Sequence, residues 1–298
     1  MAGKRPTVFL VDGHVYIFRA YYSMPSMEAP DGMPTGAAYG FANSLIKLMS
    51  DPEATHIGVC LDHSMTSFRN ELFPDYKANR GETPEDLEPQ FELCEAVARG
   101  LGLPVFSREG FEADDLIATL ATRLPDEGAN VVVVTTDKDL SQLVREDGRV
   151  VLHDIAKDLR LDAEGVRQKF GVNPAQIPDY LGLVGDTVDN LPGVPGIGPK
   201  SAAAALSAFG DIDGIPDEIE LWSGVPVRGA RRLAAAISTH REQALRTRDL
   251  ATVRRDVPGL SDGVGSLAVA GALRDDLLPL FDRLGWGRIR DRVPRWQP

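Results

Sequence analysis

The sequence predicts an α/β fold with a mostly parallel central sheet, followed by a helical region, and three observations carry that prediction. Short aliphatic runs alternate with helical apolar periodicity through the first half of the chain. Three of these runs end in aspartate: residues 9–11 lead into Asp12, 58–61 into Asp62, and 131–134, after Thr135 and Thr136, into Asp137 and Asp139. Beyond about residue 175 the pattern changes to Gly- and Ala-rich helical segments. Near-continuous apolar runs between helices are the mark of buried parallel strands, and ligands of such sheets bind at the carboxyl ends of the strands.

In chain order, the aliphatic run before Asp12 is the first strand. Residues 16–22 are rich in aromatics around Arg19; a core-facing stripe accounts for Tyr16, whereas Phe18 and Arg19 could offer a base-stacking face and a phosphate contact. Residues 36–49 read as an amphipathic helix opened by Pro34 and Thr35, leading to the second strand at Ile57 in a βαβ rhythm. From His63 to about Glu88 the periodicity fails, which predicts a long functional loop. Within it Lys77 and Arg80 are three apart and would share a face on a short helix. Residues 91–101 resume helix, 103–106 form a short third strand, 131–134 the fourth and 148–153 a fifth; 163–170 is a helix ended by Gly171. Residues 179–185 and the alanine-rich stretch to Phe209 flank Gly193, Gly196, Gly198 and Lys200, a helix-hairpin-helix pattern whose backbone N–H groups can approach a phosphate. The C-terminal third is helical, with little pattern from 257 to 271. The resulting division is 1–175 and 176–298.

The stretch around which the chain is organised is Gly110-Phe-Glu-Ala-Asp-Asp115, three carboxylates opening a helix. A helix N-terminus favours acids by only about 0.3–1 kcal/mol each. If the three Asp-terminated strands are neighbours, Asp12, Asp62, Asp137 and Asp139 converge beside Glu112, Asp114 and Asp115. Such a cluster raises its own pKa values unless divalent cations neutralise it. Oxygen-only ligands select hard ions, Mg²⁺ or Mn²⁺, and so many carboxylates imply two or more sites. Asp186 and Asp189 form a further pair just before the hairpin.

At 298 residues with 43% apolar composition the chain has ample material for a core. No run reaches a membrane span and no signal peptide is evident, so a cytoplasmic location is expected. Cys60 and Cys94 lack partners at metal-ligand spacing and are expected to be reduced. The net charge of −12 opposes a nucleic-acid partner when taken alone. Its distribution does not: eight arginines lie between residues 227 and 255 against Glu242 and Asp249, and Arg69, Lys77 and Arg80 cluster after the second strand.

Phe9-Leu-Val-Asp-Gly13, Ser67-Phe-Arg69, Tyr76-Lys77, Phe111-Glu-Ala-Asp-Asp115, Thr136-Asp-Lys-Asp139 and Gly185-Asp-x-x-Asp-Asn-Leu-Pro-Gly193, in this order, resemble the bacterial 5′-nuclease family over residues 7–255. That family comprises stand-alone flap endonucleases and the 5′→3′ exonuclease domain of bacterial DNA polymerase I. The resemblance implies a PIN-like three-layer core, an arch at about 63–90 and a helix-three-turn-helix that grips duplex DNA, with K⁺ often bound there. It implies one metal subsite of Asp12, Asp62, Glu112 and Asp114 and another of Asp115, Asp137, Asp139, Asp186 and Asp189. Arg69, Lys77 and Arg80 fall where the family contacts the scissile phosphate and the arch. The implied activity is hydrolysis of DNA phosphodiesters at 5′ flaps, nicks and branched duplexes during replication and repair, by a monomer. Phe18 departs from a tyrosine in polymerase-linked members, and the length leads us to expect a stand-alone enzyme. Two other classes compete. An aspartyl phosphatase needs a second acid two residues after Asp12, where His14 stands; a catalytically silent DNA-binding module would have lost acids, and all nine are present.

Overall fold

A computed structural model describes residues 5–297. The first half of the chain gives β1 (Thr7–Asp12), α1 (Gly13–Ser23), α2 (Gly36–Met49), β2 (His56–Cys60), α3 (Phe68–Leu72), α4 (Glu88–Gly100) and β3 (Val105–Phe106). There follow α5 (Ala113–Arg123), β4 (Asn130–Val134), β5 (Val150–Asp154), β6 (Leu159–Leu161) and α6 (Ala163–Phe170). The rest of the chain gives α7 (Ile177–Val184), α8 (Pro199–Phe209), α9 (Ala230–Ala251) and α10 (Arg274–Arg283).

The strands form one sheet in the order β3-β2-β1-β4-β5-β6, parallel except for β6. Side chains alternate across it, so each aliphatic strand serves two cores. Val8, Leu10, Val131 and Val133 pack with Leu116, Ile117 and Leu120 of α5. Phe9, Val11, Val132 and Val134 pack on the other face with Ile17, Phe41, Leu45 and Val97 of α1, α2 and α4. This is the expected three-layer α/β/α core, and its strand order makes β1, β2 and β4 neighbours.

Two regions differ from the sequence reading. Residues 63–90 contain α3 and are folded down onto the body, with Ser67, Arg69, Tyr76 and Leu87 buried. Their anchors are isolated and mostly polar, which leaves no apolar period to detect. The chain past residue 268 also leaves the helical region and returns to the first core. There Ala272, Leu277, Phe281, Leu284, Trp286, Ile289 and Val293 bury against the α2/α4 face, and Ala272 pairs with Trp296. The last segment of the proposed second region therefore covers the first one.

α7, α8 and α9 form the helical unit. Gly185 ends α7 at φ 80°, and a Cβ at Gly193 would lie 2.3 Å from the Val184 carbonyl oxygen, so the two glycines let the chain cross itself before the hairpin. From α9, Gln243 donates to the Gly193 carbonyl (2.9 Å) and Thr247 to the Pro192 carbonyl (2.8 Å).

Candidate active site

The strand order brings Asp12, Asp62 and Asp137 to one edge, and α5 opens beside them with Glu112 as its N-cap and Asp114 in its first turn. Local hydrogen bonds orient these acids. Asp12 caps α1 by accepting from the Val15 N–H (3.3 Å) and accepts the Thr135 hydroxyl (2.8 Å). Asp62 accepts the Ala113 N–H (2.6 Å), and Asp137 that of Asp139 (2.8 Å). A crevice of about 520 Å³ opens over Asp12, Asp62, Glu112, Asp114 and Asp137, walled by Phe18, Tyr22, Met65, Lys77 and Arg80.

Crowded carboxylates in poor solvation resist ionisation. Burial pushes the Asp12 carboxyl up to about 7, with the charges of Asp137 and Asp62 adding to it and the Thr135 hydrogen bond opposing it. Burial, then Asp12 and Asp137, lifts Asp114 well above the carboxylate range. Asp139 is lifted by burial, Asp137 and Asp186, and its Oδ1 is buried without a hydrogen-bond partner. Glu112 goes the other way: burial would raise it, but Lys77 and Arg69 outweigh burial and hold it low.

The basic residues stand among these acids. Lys77, at φ 58°, places Nζ 2.9 Å from Glu112 and 3.9 Å from Asp189, and Arg80 lies 2.6 Å from Asp189. The Tyr76 hydroxyl is 3.1 Å from both acids. Asn79 donates to the Thr187 carbonyl (2.6 Å) and Asn190 to that of Asp75 (2.8 Å), so turn 75–80 clasps loop 186–190. Lys138 neutralises Asp186 at 2.7 Å. Lys77 and Arg80 thus share a target through a turn, in which the Arg80 N–H reaches the Lys77 carbonyl (3.0 Å), and not through a helix. With lysines interposed, no group of three His, Cys, Asp or Glu among the described residues closes on one point for an ion.

Residues 7–171 match the family described as 5′-3′ exonuclease, N-terminal resolvase-like domain, and residues 172–270 match its C-terminal SAM fold. The chain belongs to the 5′-3′ exonuclease family. It is 39% identical over 293 residues to DNA polymerase I of Mycobacterium tuberculosis H37Rv, covering 97% of this chain and 32% of that one. To DNA polymerase I of Pseudomonas aeruginosa PAO1 it is 40% identical over 287 residues, 96% of this chain and 31% of that one. The chain therefore spans about a third of the length of these relatives. Among solved structures, the bacteriophage T5 flap endonuclease in a pseudo-enzyme–product complex with DNA and metal ions superposes at TM-score 0.66 and 22% identity, covering 97% of this chain and all of that one. A T5 5′-exonuclease with bound zinc superposes at 0.65 and 23%, covering 94% and 98%. These likenesses concern the fold.

Within the 5′-3′ exonuclease family pattern, the geometry reassigns several expected residues. Arg69, expected at the scissile phosphate, is 2% exposed. Its guanidinium grips both oxygens of Asp115 (2.8 Å each) and donates to the Leu250 and Thr252 carbonyls (2.8 and 3.3 Å). Asp115, expected as a metal ligand, is 0% exposed, and its oxygens also accept the N–H groups of Glu112 and Arg254. Both are inner ties, because every polar atom is spent on protein. Arg19 is held by Asp154 at 3.2 Å, and Phe18 packs edge-on to Phe91 while one side meets the crevice. In the hairpin Gly193 faces inward, whereas Gly196, Gly198 and Lys200 lie on the outer turn beside Arg232, whose guanidinium is 3.0 Å from a Cβ built on Gly196. The sequence reading missed Tyr22 (74% exposed), Met65 (60%), Lys138, Gln142 and Arg232. Tyr22 lay in the aromatic stretch already noted; Met65 carried no signal. His14 stacks on Phe91 at 5.0 Å and accepts the Asp62 N–H (3.0 Å), a packing role that leaves no second acid for an aspartyl phosphatase.

Proposed function

We propose that the chain is a divalent-metal-dependent 5′ nuclease that hydrolyses DNA phosphodiesters beside single-strand/double-strand junctions, as at a 5′ flap or nick. One observation carries this reading: carboxylates from three parallel strands and one helix N-terminus share a crevice with Lys77 and Arg80, next to a hairpin suited to duplex phosphates. The donor set fits the implied ions. It is all oxygen, it includes the partnerless Oδ1 of Asp139, and its raised pKa values mark a charge deficit that Mg²⁺ or Mn²⁺ would relieve. Asp12, Asp62, Glu112 and Asp114 would hold one such ion, and Asp137, Asp139, Asp186 and Asp189 another. When bound, these ions supply Lewis acidity and lower the pKa of the attacking water.

The chain's own residues do the remainder. Lys77 and Arg80 now neutralise Glu112 and Asp189. With those acids holding a cation, the two bases would be free to meet the phosphate, where charge grows in the transition state. Phe18, Tyr22 and Met65 offer an apolar wall for an unpaired base, offsetting part of the few kcal/mol that unstacking costs. The outer turn of the hairpin, Lys200 and Arg232 recognise phosphates and not bases, so junction geometry and not sequence sets the cut. K⁺ would be held at the same turn by backbone carbonyl oxygens.

The test is a 5′-labelled flap beside a nicked duplex, incubated with Mg²⁺, Mn²⁺ or EDTA. Cleavage at the junction with either metal and none in EDTA is the expected result. Tight binding without cleavage under all three conditions refutes it in favour of a silent DNA-binding module.

A further inference from the structure

The C-terminal half of helix α9, beyond a kink at His240, runs from the hairpin to the acids, and side-chain hydrogen bonds fix it at both places. At the hairpin, Gln243 and Thr247 hold the carbonyls of Gly193 and Pro192. One to two turns further on, two buried side chains bind the backbone just where α9 stops. Arg69 takes the Leu250 and Thr252 carbonyls while holding Asp115 of α5, one residue from Asp114. Gln142, 4% exposed, donates to the Ala251 carbonyl (3.0 Å) and accepts the Val253 N–H (3.1 Å), and the same amide nitrogen lies 2.9 Å from the Asp139 carbonyl. Two of the acid-bearing elements, α5 and the 137–139 turn, are thereby tied to the C-terminus of α9.

We infer that Arg69 and Gln142 are positioning residues, which set the acids on α5 and on the 137–139 turn according to how α9 sits on its duplex. The inference rests on the reading above, in which the hairpin and α9 hold duplex DNA. Neither side chain faces the crevice, so neither touches substrate. On the α9 side their bonds run to main-chain atoms, whose place depends on how the C-terminal half of the helix sits and not on a neighbouring rotamer. Displacing a reacting group by about 1 Å can cost on the order of 100-fold in rate, and that sensitivity is what such ties would govern.

The experiment uses the full chain, with Gln142→Met, which keeps volume but loses all three bonds, and Arg69→Lys, which keeps charge but loses the bidentate grip. Three quantities are read: flap-duplex affinity in EDTA, single-turnover cleavage at saturating enzyme with Mg²⁺, and amide hydrogen exchange with and without flap duplex in EDTA. In the wild type, duplex should slow exchange at residues 250–257 and, with them, at 112–119 and 137–143. The variants should bind within about threefold of wild type, cleave roughly 10–100-fold more slowly, and lose the slowing at 112–119 and 137–143. Slowing confined to the hairpin and α9 in the wild type overturns the inference, and this arm stands even if a variant does not fold. Wild-type rates per folded molecule in both variants overturn it as well. A wild type that neither binds nor cuts flaps refutes the nuclease reading instead.

Discussion

Asp12→Asn tests the electrostatics of the crevice most directly. An acid whose folded pKa is raised keeps its proton in the folded protein after the unfolded chain has lost it, so stability falls as pH rises from about the ordinary value of 3.8 to about 7. That displacement corresponds to about 4 kcal/mol at pH 8 and to about 1 kcal/mol at pH 4.5. Asparagine removes the penalty but weakens the hydrogen bonds with Val15 and Thr135, at a cost of about 1 kcal/mol. In EDTA the variant should match wild type near pH 4.5 and exceed it by about 3 kcal/mol at pH 8. Urea unfolding at several pH values reads this difference. With Mg²⁺ the order should narrow or reverse, because the ion stabilises the wild type by mass action and the variant has lost a ligand. Cleavage should fall by orders of magnitude. A variant whose advantage does not grow between pH 4.5 and 8, or one that cleaves normally, refutes the reasoning.

Three further outcomes follow from the same structure. Lys77→Ala and Arg80→Ala should slow single-turnover cleavage more than they weaken duplex binding, since their charge is needed as the phosphate reacts; a loss of affinity alone would make them ordinary backbone contacts. Ending the chain after residue 270 strips Leu277, Phe281, Leu284, Trp286 and Ile289 from the α2/α4 face. At about 1.5–3 kcal/mol per buried side chain this should lower the melting temperature of the catalytic core by many degrees, and an unchanged melting curve would show the strap to be dispensable. Lys200→Ala combined with Gly198→Val, where a Cβ meets nothing within 4 Å, should weaken flap-duplex binding and flatten its salt dependence without moving the cut site; cut sites that follow base sequence would contradict a phosphate-only grip.

The sequence by itself determined the core and the sheet edge at which its acids gather. Aliphatic runs that end in Asp12, Asp62 and Asp137 can only be buried strands with polar ends, and the helix opening at Glu112 had to bring its acids to whichever sheet edge it met. The hairpin was legible for a similar reason, since the spacing of Gly193, Gly196 and Gly198 before Lys200 suits few other conformations. Tertiary structure decided which of these charges face solvent. Asp114 and Asp115 are adjacent in sequence, but successive helix positions point about 100° apart, so one meets the crevice and the other is sealed under Arg69. Nothing local distinguishes them. Residues 63–90 carry only the signature of a long loop because their anchors, Arg69 and Tyr76, are polar residues paired with groups far along the chain, and no periodic signal encodes such pairings. The return of residues 272–293 to the first core was hidden in the same way. Its amphipathic pattern specifies an apolar face, and only the folded chain shows which surface that face covers.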